Sequence, residues 1–126
     1  MKYLTLVYGN EEIWSSLGPD VTTLVAEVDA FNRSLRESGE LVDVQGLGER
    51  PKAVHAGASP VLTDGPYLEA KEHIGSYFVL DVATDERAQE IARSCPGLRY
   101  GTRGGLELWP LMPTGDVAAG PASSTT

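Results

Sequence analysis

The side chains best suited to move protons in this sequence are two histidines and an aspartate that lies between them. Asp64 begins an Asp-Gly-Pro turn, and His73 stands just before an apolar segment. A neutral imidazole at about pH 7 accepts a proton readily, and a carboxylate within hydrogen-bond reach would orient it. We therefore predict that His55, Asp64 and His73 are catalytic residues in general acid and base chemistry.

Each of these three residues also has a purely structural interpretation. A histidine at the end of a strand is often a half-exposed surface group. The aspartate of an Asp-Gly turn commonly accepts hydrogen bonds from neighbouring backbone amides and so stabilises the turn. The residues alone leave the catalytic and the structural interpretations open.

Five further side chains could hold a substrate near these residues. They are Tyr8, Tyr67, Lys71, Glu72 and Trp109. The aromatic rings could stack on a planar molecule, although burial alone would also explain them. Lys71 stands among acidic neighbours, so it could anchor a substrate carboxylate or phenolate, or it could form a solvated ion pair of little energetic value.

Several reaction classes lack the motifs that they require. The sequence has no glycine-rich phosphate loop of Walker or Rossmann spacing, no G-x-S-x-G segment and no H-E-x-x-H segment. Its two histidines are separated and its acids are scattered, so no spacing argues for a metal site. The single cysteine, Cys95, excludes an internal disulfide and a zinc site made of cysteines alone. We expect no cofactor and no metal.

Length and charge restrict the domain count and the partners. A chain of 126 residues with 41% hydrophobic residues suits one domain with an ordinary core. A formal charge of −8 disfavours nucleic acid, because phosphate backbones require clustered lysines and arginines. No apolar stretch approaches the roughly 20 residues that span a bilayer. The lone cysteine fits a reducing compartment, so we expect a cytoplasmic protein with no nucleic-acid or membrane partner.

Hydrophobic periodicity predicts strands that alternate with two helices. Strands are expected over residues 2–8, 41–47, 52–56, 77–80 and 106–111, and a short one ends near Leu62. The first helix is expected over 21–38, and the second begins after the N-cap Thr84 and ends before Pro96. The strands at 41–47 and 52–56 are expected to pair as a hairpin, and Leu41 is expected to share a face with Asp43 and Gln45. This order indicates an α+β domain.

The segment TDGPYLEAKEHIGSYFVLDV, residues 63–82, resembles the signature of the DGPF branch of the YCII-related proteins. The opening KYLTLVYG and the closing GGLELWPL extend the resemblance over most of residues 1–112. It implies a ferredoxin-like sandwich with an added β-hairpin, which pairs with a second copy as a dimeric α/β barrel and holds a cleft for a small molecule. Residues 113–126 lack apolar bulk and are expected to be a disordered tail.

The resemblance leaves the reaction open. In YCII relatives the proposed catalytic centre is a histidine and aspartate pair with the histidine on the first helix, but residues 20–38 contain no histidine. That assignment cannot be carried over. One hypothesis is a cofactor-free enzyme, of lyase or isomerase and cyclase type, which acts by proton transfer on an aromatic or polyketide-like substrate. The alternative is a non-catalytic, dimeric small-molecule-binding or regulatory module.

Overall fold

The computed structural model describes residues 1–9, 18, 20–48, 50–68, 72–99 and 104–113. Within these ranges the strands are β1 (Lys2–Gly9), β2 (Leu41–Gly46), β3 (Lys52–His55), β4 (Val61–Asp64), β5 (His73–Asp81) and β6 (Gly105–Pro110). The helices are α1 (Asp20–Glu37) and α2 (Asp85–Arg93), and a short 3₁₀ helix spans Pro96–Arg99. Most of the predicted tail, residues 114–126, lies outside the described part of the chain.

The four long strands form one antiparallel sheet in the order β2-β5-β1-β6, and β3 pairs with β4 in a separate two-stranded sheet. With the hairpin set aside, the strands follow the order of a ferredoxin-like domain, in which the first and third strands are central. The predicted α+β, ferredoxin-like fold with an added hairpin is therefore confirmed.

The core lies between the two helices and one face of the four-stranded sheet, here called the core face. Residues directly opposite each other on neighbouring strands point to the same face. One row across this face contains Leu41, Leu80 and Tyr3, and the next contains Val44, Phe78, Thr5 and Leu108. Leu80 and Thr5 are fully buried. These rows supply most of the apolar surface on which the helices pack.

Helix α1 covers the core face with an apolar stripe at helical spacing. Leu24, Val28, Phe31 and Leu35 recur every three or four residues and so share one side of the helix. Leu35 belongs to the main core cluster, and the Phe31 ring meets the Phe78 ring edge-on at a centroid distance of 5.9 Å. The carboxyl-terminal half of α1 is therefore anchored on the sheet by large side chains.

Helix α2 begins at the predicted N-cap. The Thr84 side chain accepts a hydrogen bond from the backbone N–H of Arg87, which stabilises the first turn. The Arg87 guanidinium donates two hydrogen bonds of 2.8 Å to the Glu40 carboxylate, just before β2. These bonds hold the pKa of Glu40 below its ordinary value and tie α2 to the start of the second strand.

Two sequence predictions about pairing and faces are wrong. Strand β2 pairs with β5, and the hairpin partner of β3 is β4. The physical reason is that Leu41 and Val44 pack against the core and need a place in the large sheet, whereas β3 buries only Ala53. The register of β2 shifts between Leu41 and Asp43, and this irregularity turns Leu41 to the core face while Asp43 points to the opposite face.

Candidate functional site

A cavity of about 460 Å³ opens between the sheet, the middle of α1 and the 3₁₀ helix. The sheet contributes the ends of β1 and β2 and the beginning of β5. Helix α1 contributes Leu24, Val25, Val28, Asp29, Phe31 and Asn32. The segment from Cys95 to Leu98 closes another side. The cavity thus lies beside the core, at the end of the sheet where the large packing residues stop.

Small residues on the core face create this space. The row that follows Val44 and Phe78 along the sheet contains Gly46 opposite Ser76 and Ser76 opposite Val7. A Cβ atom added at Gly46 would meet no described atom within 4 Å. The φ angle of Gly46 is outside the left-handed region, so neither packing nor backbone conformation requires glycine there. Gly46 and Ser76 leave volume that larger side chains fill in the neighbouring rows.

The 3₁₀ helix and β6 add two more glycines to the wall. Gly97 and Gly105 both line the cavity, and a Cβ atom on either would meet no described atom within 4 Å. A wall with several glycines brings backbone close to the enclosed volume without narrowing it. A larger residue in place of Gly97 or Gly105 would reduce the volume of the cavity.

The lining is mainly apolar, with a few polar groups. Its hydrophobic side chains include Val28, Phe31 and Phe78, and its polar side chains include Asp29, Asn32 and Ser76. An apolar enclosure with a small number of polar groups is typical of small-molecule sites. Such a wall favours a ligand with an apolar body and one or two polar ends.

Cys95 in the cavity lining and Tyr8, whose hydroxyl bonds Glu107 on the opposite face of the sheet, are both held in their protonated forms. Burial raises the pKa of the Cys95 thiol, so the neutral thiol dominates near about pH 7 and is a poor nucleophile. The Tyr8 hydroxyl donates a 2.7 Å hydrogen bond to the Glu107 carboxylate, and this bond raises the pKa of Tyr8. Neither group is suited to remove a proton from a ligand at neutral pH.

The structure places His55 on the hairpin, away from the described lining of the cavity. Its Nε2 atom lies 2.9 Å from the Thr63 hydroxyl, and its ring centroid lies 5.3 Å from that of Tyr67. His55 is half-buried while Tyr67 is largely exposed. Two of the predicted residues, His55 and Tyr67, are therefore in contact.

Asp64 occupies the opposite end of the same hairpin. Its carboxylate accepts a 2.6 Å hydrogen bond from the Lys52 ammonium, and both side chains are well exposed. Lys52 pairs with Asp64 at one end of the hairpin, whereas His55 pairs with Val61 at the other. Asp64 is therefore engaged by a lysine, and the described contacts do not join it to His55.

His73 and Glu72 lie where the chain enters β5. His73 is the first residue of the strand, is exposed, and stands opposite Gly9. The Glu72 carboxylate accepts a 2.9 Å hydrogen bond from the backbone N–H of Gly104. Lys71, the predicted anion anchor, lies outside the described residues.

Trp109 and Tyr8 meet on the sheet face opposite the core, here called the open face. Both the Trp109 indole N–H, at 3.3 Å, and the Tyr8 hydroxyl donate hydrogen bonds to the same Glu107 oxygen. A similar pair lies across the sheet, where the Tyr77 hydroxyl donates to Asp43 at 2.9 Å. Of the eight predicted site residues, Tyr8 alone contributes to the described cavity lining.

Comparison with known proteins identifies the family. A family model described as the YCII-related domain matches residues 1–111. The chain belongs to the YCII-related domain family. This YCII-related chain is also 28% identical over 115 residues to an uncharacterized protein of Rhizobium meliloti (strain 1021), a match that covers 88% of this chain and 92% of the relative. The relative's name states no activity, and membership of the DGPF branch stays a prediction.

The residues that shape the cavity of this YCII-related domain were missed in the sequence. Gly46 and Ser76 each stand two positions from a large core residue, Val44 and Phe78 respectively. Because strand side chains repeat every second residue, a small residue at that spacing marks a gap on the core face. Such a gap can be recognised in the sequence once the strand pairings are known. Asp29 was missed because it sits beside the apolar stripe of α1, where acids commonly face solvent.

The described residues of the YCII-related domain contain neither a cluster of metal-ligating side chains nor a helix that could span a membrane. No group of three or more histidine, cysteine, aspartate or glutamate side chains comes together there in a way that could hold a metal ion. Neither helix in that part of the chain has both the length and the apolar character needed to cross a membrane.

Proposed function

We propose that this YCII-related domain binds a small, largely apolar molecule in the cavity between α1 and the sheet. The observation that carries the proposal is the volume of about 460 Å³ above Gly46 and Ser76, enclosed mainly by apolar side chains. Ligand pockets typically have volumes of about 300–1,000 Å³ and a mostly hydrophobic lining. Between the two hypotheses drawn from the sequence, this geometry favours small-molecule binding.

The wall favours a flat, ring-containing body. Phe31 and Phe78 meet edge-on beside the cavity and present aromatic surface to it. Aromatic side chains prefer offset-stacked or edge-to-face partners and gain about 0.5–1.5 kcal/mol beyond simple burial. A bicyclic aromatic alcohol such as naphthalenemethanol is therefore a suitable neutral probe, with an apolar body for the rings and one hydroxyl for Asn32 or Ser76.

A cavity-blocking substitution with a matched control tests the proposal. Gly46→Val adds an isopropyl side chain on the core face at a residue that lines the cavity, whereas Gly48→Val makes the same change at a residue outside the lining, and both glycines are exposed. Titration of the full chain with naphthalenemethanol is followed by ¹H–¹⁵N NMR. Saturable shifts at Gly75 and Ser76 are expected in the unaltered chain and in Gly48→Val, and they are expected to be lost or strongly weakened in Gly46→Val.

Two results would count against this function. Equal binding by Gly46→Val and Gly48→Val would place the ligand elsewhere. The lack of saturable shifts at the cavity in the folded, unaltered chain would remove the proposal for this class of ligand. Far-UV circular dichroism of both variants serves to confirm that each is folded.

Acid and base catalysis on an aromatic or polyketide-like substrate is the second candidate. The observation in its favour is the half-buried His55, which contacts the Thr63 hydroxyl and the Tyr67 ring. If His55, Asp64 and His73 move protons, single replacements His55→Gln, Asp64→Asn and His73→Gln should each reduce turnover of a substrate found by screening by about 100-fold or more. Unchanged turnover in all three variants would exclude this mechanism.

A homodimer is part of the proposal. The open face carries apolar side chains that a second copy could bury, and the family resemblance implies such a dimer. Leu4, Leu6 and Val79 lie on this face according to the strand pairings and are only half-buried. A second copy laid face to face would bury them. Sedimentation at micromolar concentration should give the dimer mass, and a monomer mass would contradict the expectation.

A cytoplasmic location also remains a proposal, which the unpaired, buried Cys95 supports.

A further inference from the structure

We propose, building on the binding function above, that the cavity selects molecules that carry a protonated amine on an apolar body. The group that would recognise the amine is the Asp29 carboxylate at the cavity wall. Asp29 belongs to the lining and is exposed at its mouth. An ammonium group could therefore reach the carboxylate while the apolar body remains enclosed.

Helix geometry sets Asp29 next to the other lining residues. Val25 lies four residues before it and Asn32 lies three residues after it, so all three occupy one side of α1. Val25 and Asn32 both line the cavity. The Asn32 side-chain oxygen is an acceptor for a second N–H of the same ammonium, which has only donors. The pair offers the acceptors that an amine requires.

The carboxylate of Asp29 is available for a ligand. Within the described residues it makes no hydrogen bond and no ion pair, in contrast with Glu27, which pairs with Arg99. Arg33 stands one turn further along α1, but it forms no ion pair with Asp29 and is not part of the lining. A cationic ligand group would thus not have to displace an arginine from Asp29.

The charge of the surroundings disfavours an acid in the same place. The described lining contains Asp29 as a charged side chain and contains neither lysine nor arginine. Arg99, the cation that follows the lining residue Leu98, is paired with Glu27. The chain as a whole carries a formal charge of −8, which raises the local concentration of cations and lowers that of anions. A carboxylate on the ligand would meet repulsion and would find no lysine or arginine in the described lining.

Three probes of nearly equal shape test the selection. Naphthalenemethylamine is cationic, naphthalenemethanol is neutral and naphthalenecarboxylate is anionic at about pH 7. Dissociation constants are measured by NMR titration of the full chain at low ionic strength. The amine is expected to bind about tenfold more tightly than the carboxylate, since one exposed charge at about 4 Å changes affinity by several-fold in each direction. The alcohol should fall between them.

Two variants separate Asp29 from the general acidity of the chain. Asp29→Asn removes the charge at the cavity, and Glu37→Gln removes one charge at the far end of the same helix, outside the lining. The amine preference should shrink to about twofold or less in Asp29→Asn and persist in Glu37→Gln. Naphthalenemethanol should bind Glu37→Gln as it binds the unaltered chain, and in Asp29→Asn it should lose less affinity than the amine does.

The outcomes distinguish this inference from the function on which it rests. If the alcohol binds at the cavity but the carboxylate binds as tightly as the amine, amine selection is wrong and the binding function stands. A preference that survives Asp29→Asn would also overturn the role of Asp29. If none of the three probes shifts the amides of Gly46 and Ser76, the binding function itself fails, and the inference fails with it.

Discussion

Filling the cavity at Gly46 should stabilise the protein while it weakens ligand binding. Gly46→Val places a β-branched side chain on the core face of β2, in the same column as Val44. Because an added Cβ atom meets no described atom within 4 Å, the new methyl groups should enter open volume and cause no steric clash. A site kept open for a ligand should show this opposition between stability and binding.

The expected size of the effect follows from burial and backbone freedom. Complete burial of a valine side chain contributes about 1.5–3 kcal/mol, and about half of that applies in a cavity that stays partly open. Glycine in a strand costs about 0.5–1 kcal/mol relative to alanine. The free energy of unfolding of Gly46→Val should therefore rise by about 1.5 kcal/mol. Gly48→Val lies outside the cavity lining and should change it by about 0.5 kcal/mol or less.

Urea unfolding followed by circular dichroism measures this difference without any ligand. The midpoint for Gly46→Val should rise while the slope with urea concentration stays unchanged. A lower free energy of unfolding in Gly46→Val than in Gly48→Val would refute the reasoning, because it would mean that the space above Gly46 is already filled or closed in solution.

Other predictions concern the core and the pH dependence of stability. The Thr5 hydroxyl is buried without a hydrogen-bond partner in the described structure, so Thr5→Val should stabilise the fold by about 1 kcal/mol in urea unfolding; destabilisation would indicate a hidden partner such as water. The Arg87 guanidinium lowers the pKa of Glu40 below 4.5, so this stabilisation is present above about pH 4.5 and is lost as the pH falls through the lowered pKa. Acid unfolding should therefore depend less on pH in Arg87→Met, and an unchanged dependence would contradict it. Hydrogen bonding to Asp43 raises the pKa of Tyr77 above 10.0, so its contribution holds below about pH 10 and is lost as the pH rises through the raised pKa. Alkaline unfolding of Tyr77→Phe should be flatter, and an equally steep curve would exclude that contribution.

The fold could be predicted largely because its strongest signals are local. Alternation along the last strand placed Leu106 and Leu108 opposite Glu107 and Trp109, and the register with β1 agrees with this. The N-cap Thr84 bonds only to the first turn of the helix that follows it, so this cap can be predicted from a few neighbouring residues. Such features depend on neighbours in sequence, which are visible without any tertiary structure.

The errors arise where distant parts of the chain decide the outcome. The short segment between β2 and β3 suggested a hairpin, but Val44 lies opposite Phe78 in the large sheet, and that burial determines the pairing. The irregularity beside Val42 reverses the face of Leu41, which no simple alternation can show. The fifth strand was expected only over residues 77–80, yet its pairing with β1 extends back to His73.

The cavity could not be predicted for the same reason. Its volume depends on how α1 packs over the row that contains Gly46 and Ser76. That row is formed by the pairing of three strands, β2, β5 and β1. The predicted catalytic residues are titratable side chains near turns, and the structure distributes them over the hairpin and the start of β5. A small residue in a strand cannot be recognised as part of a cavity until the residues opposite it on the neighbouring strands are known.

The location of a bound ligand tests the central claim most directly. Intermolecular nuclear Overhauser effects can be measured between naphthalenemethanol, at saturating concentration, and the side chains of the full chain. The proposed function predicts contacts from the ring protons to Val28, Phe31 and Phe78. Contacts to His55 and Tyr67 instead, with none to α1, would contradict it and move the site to the hairpin.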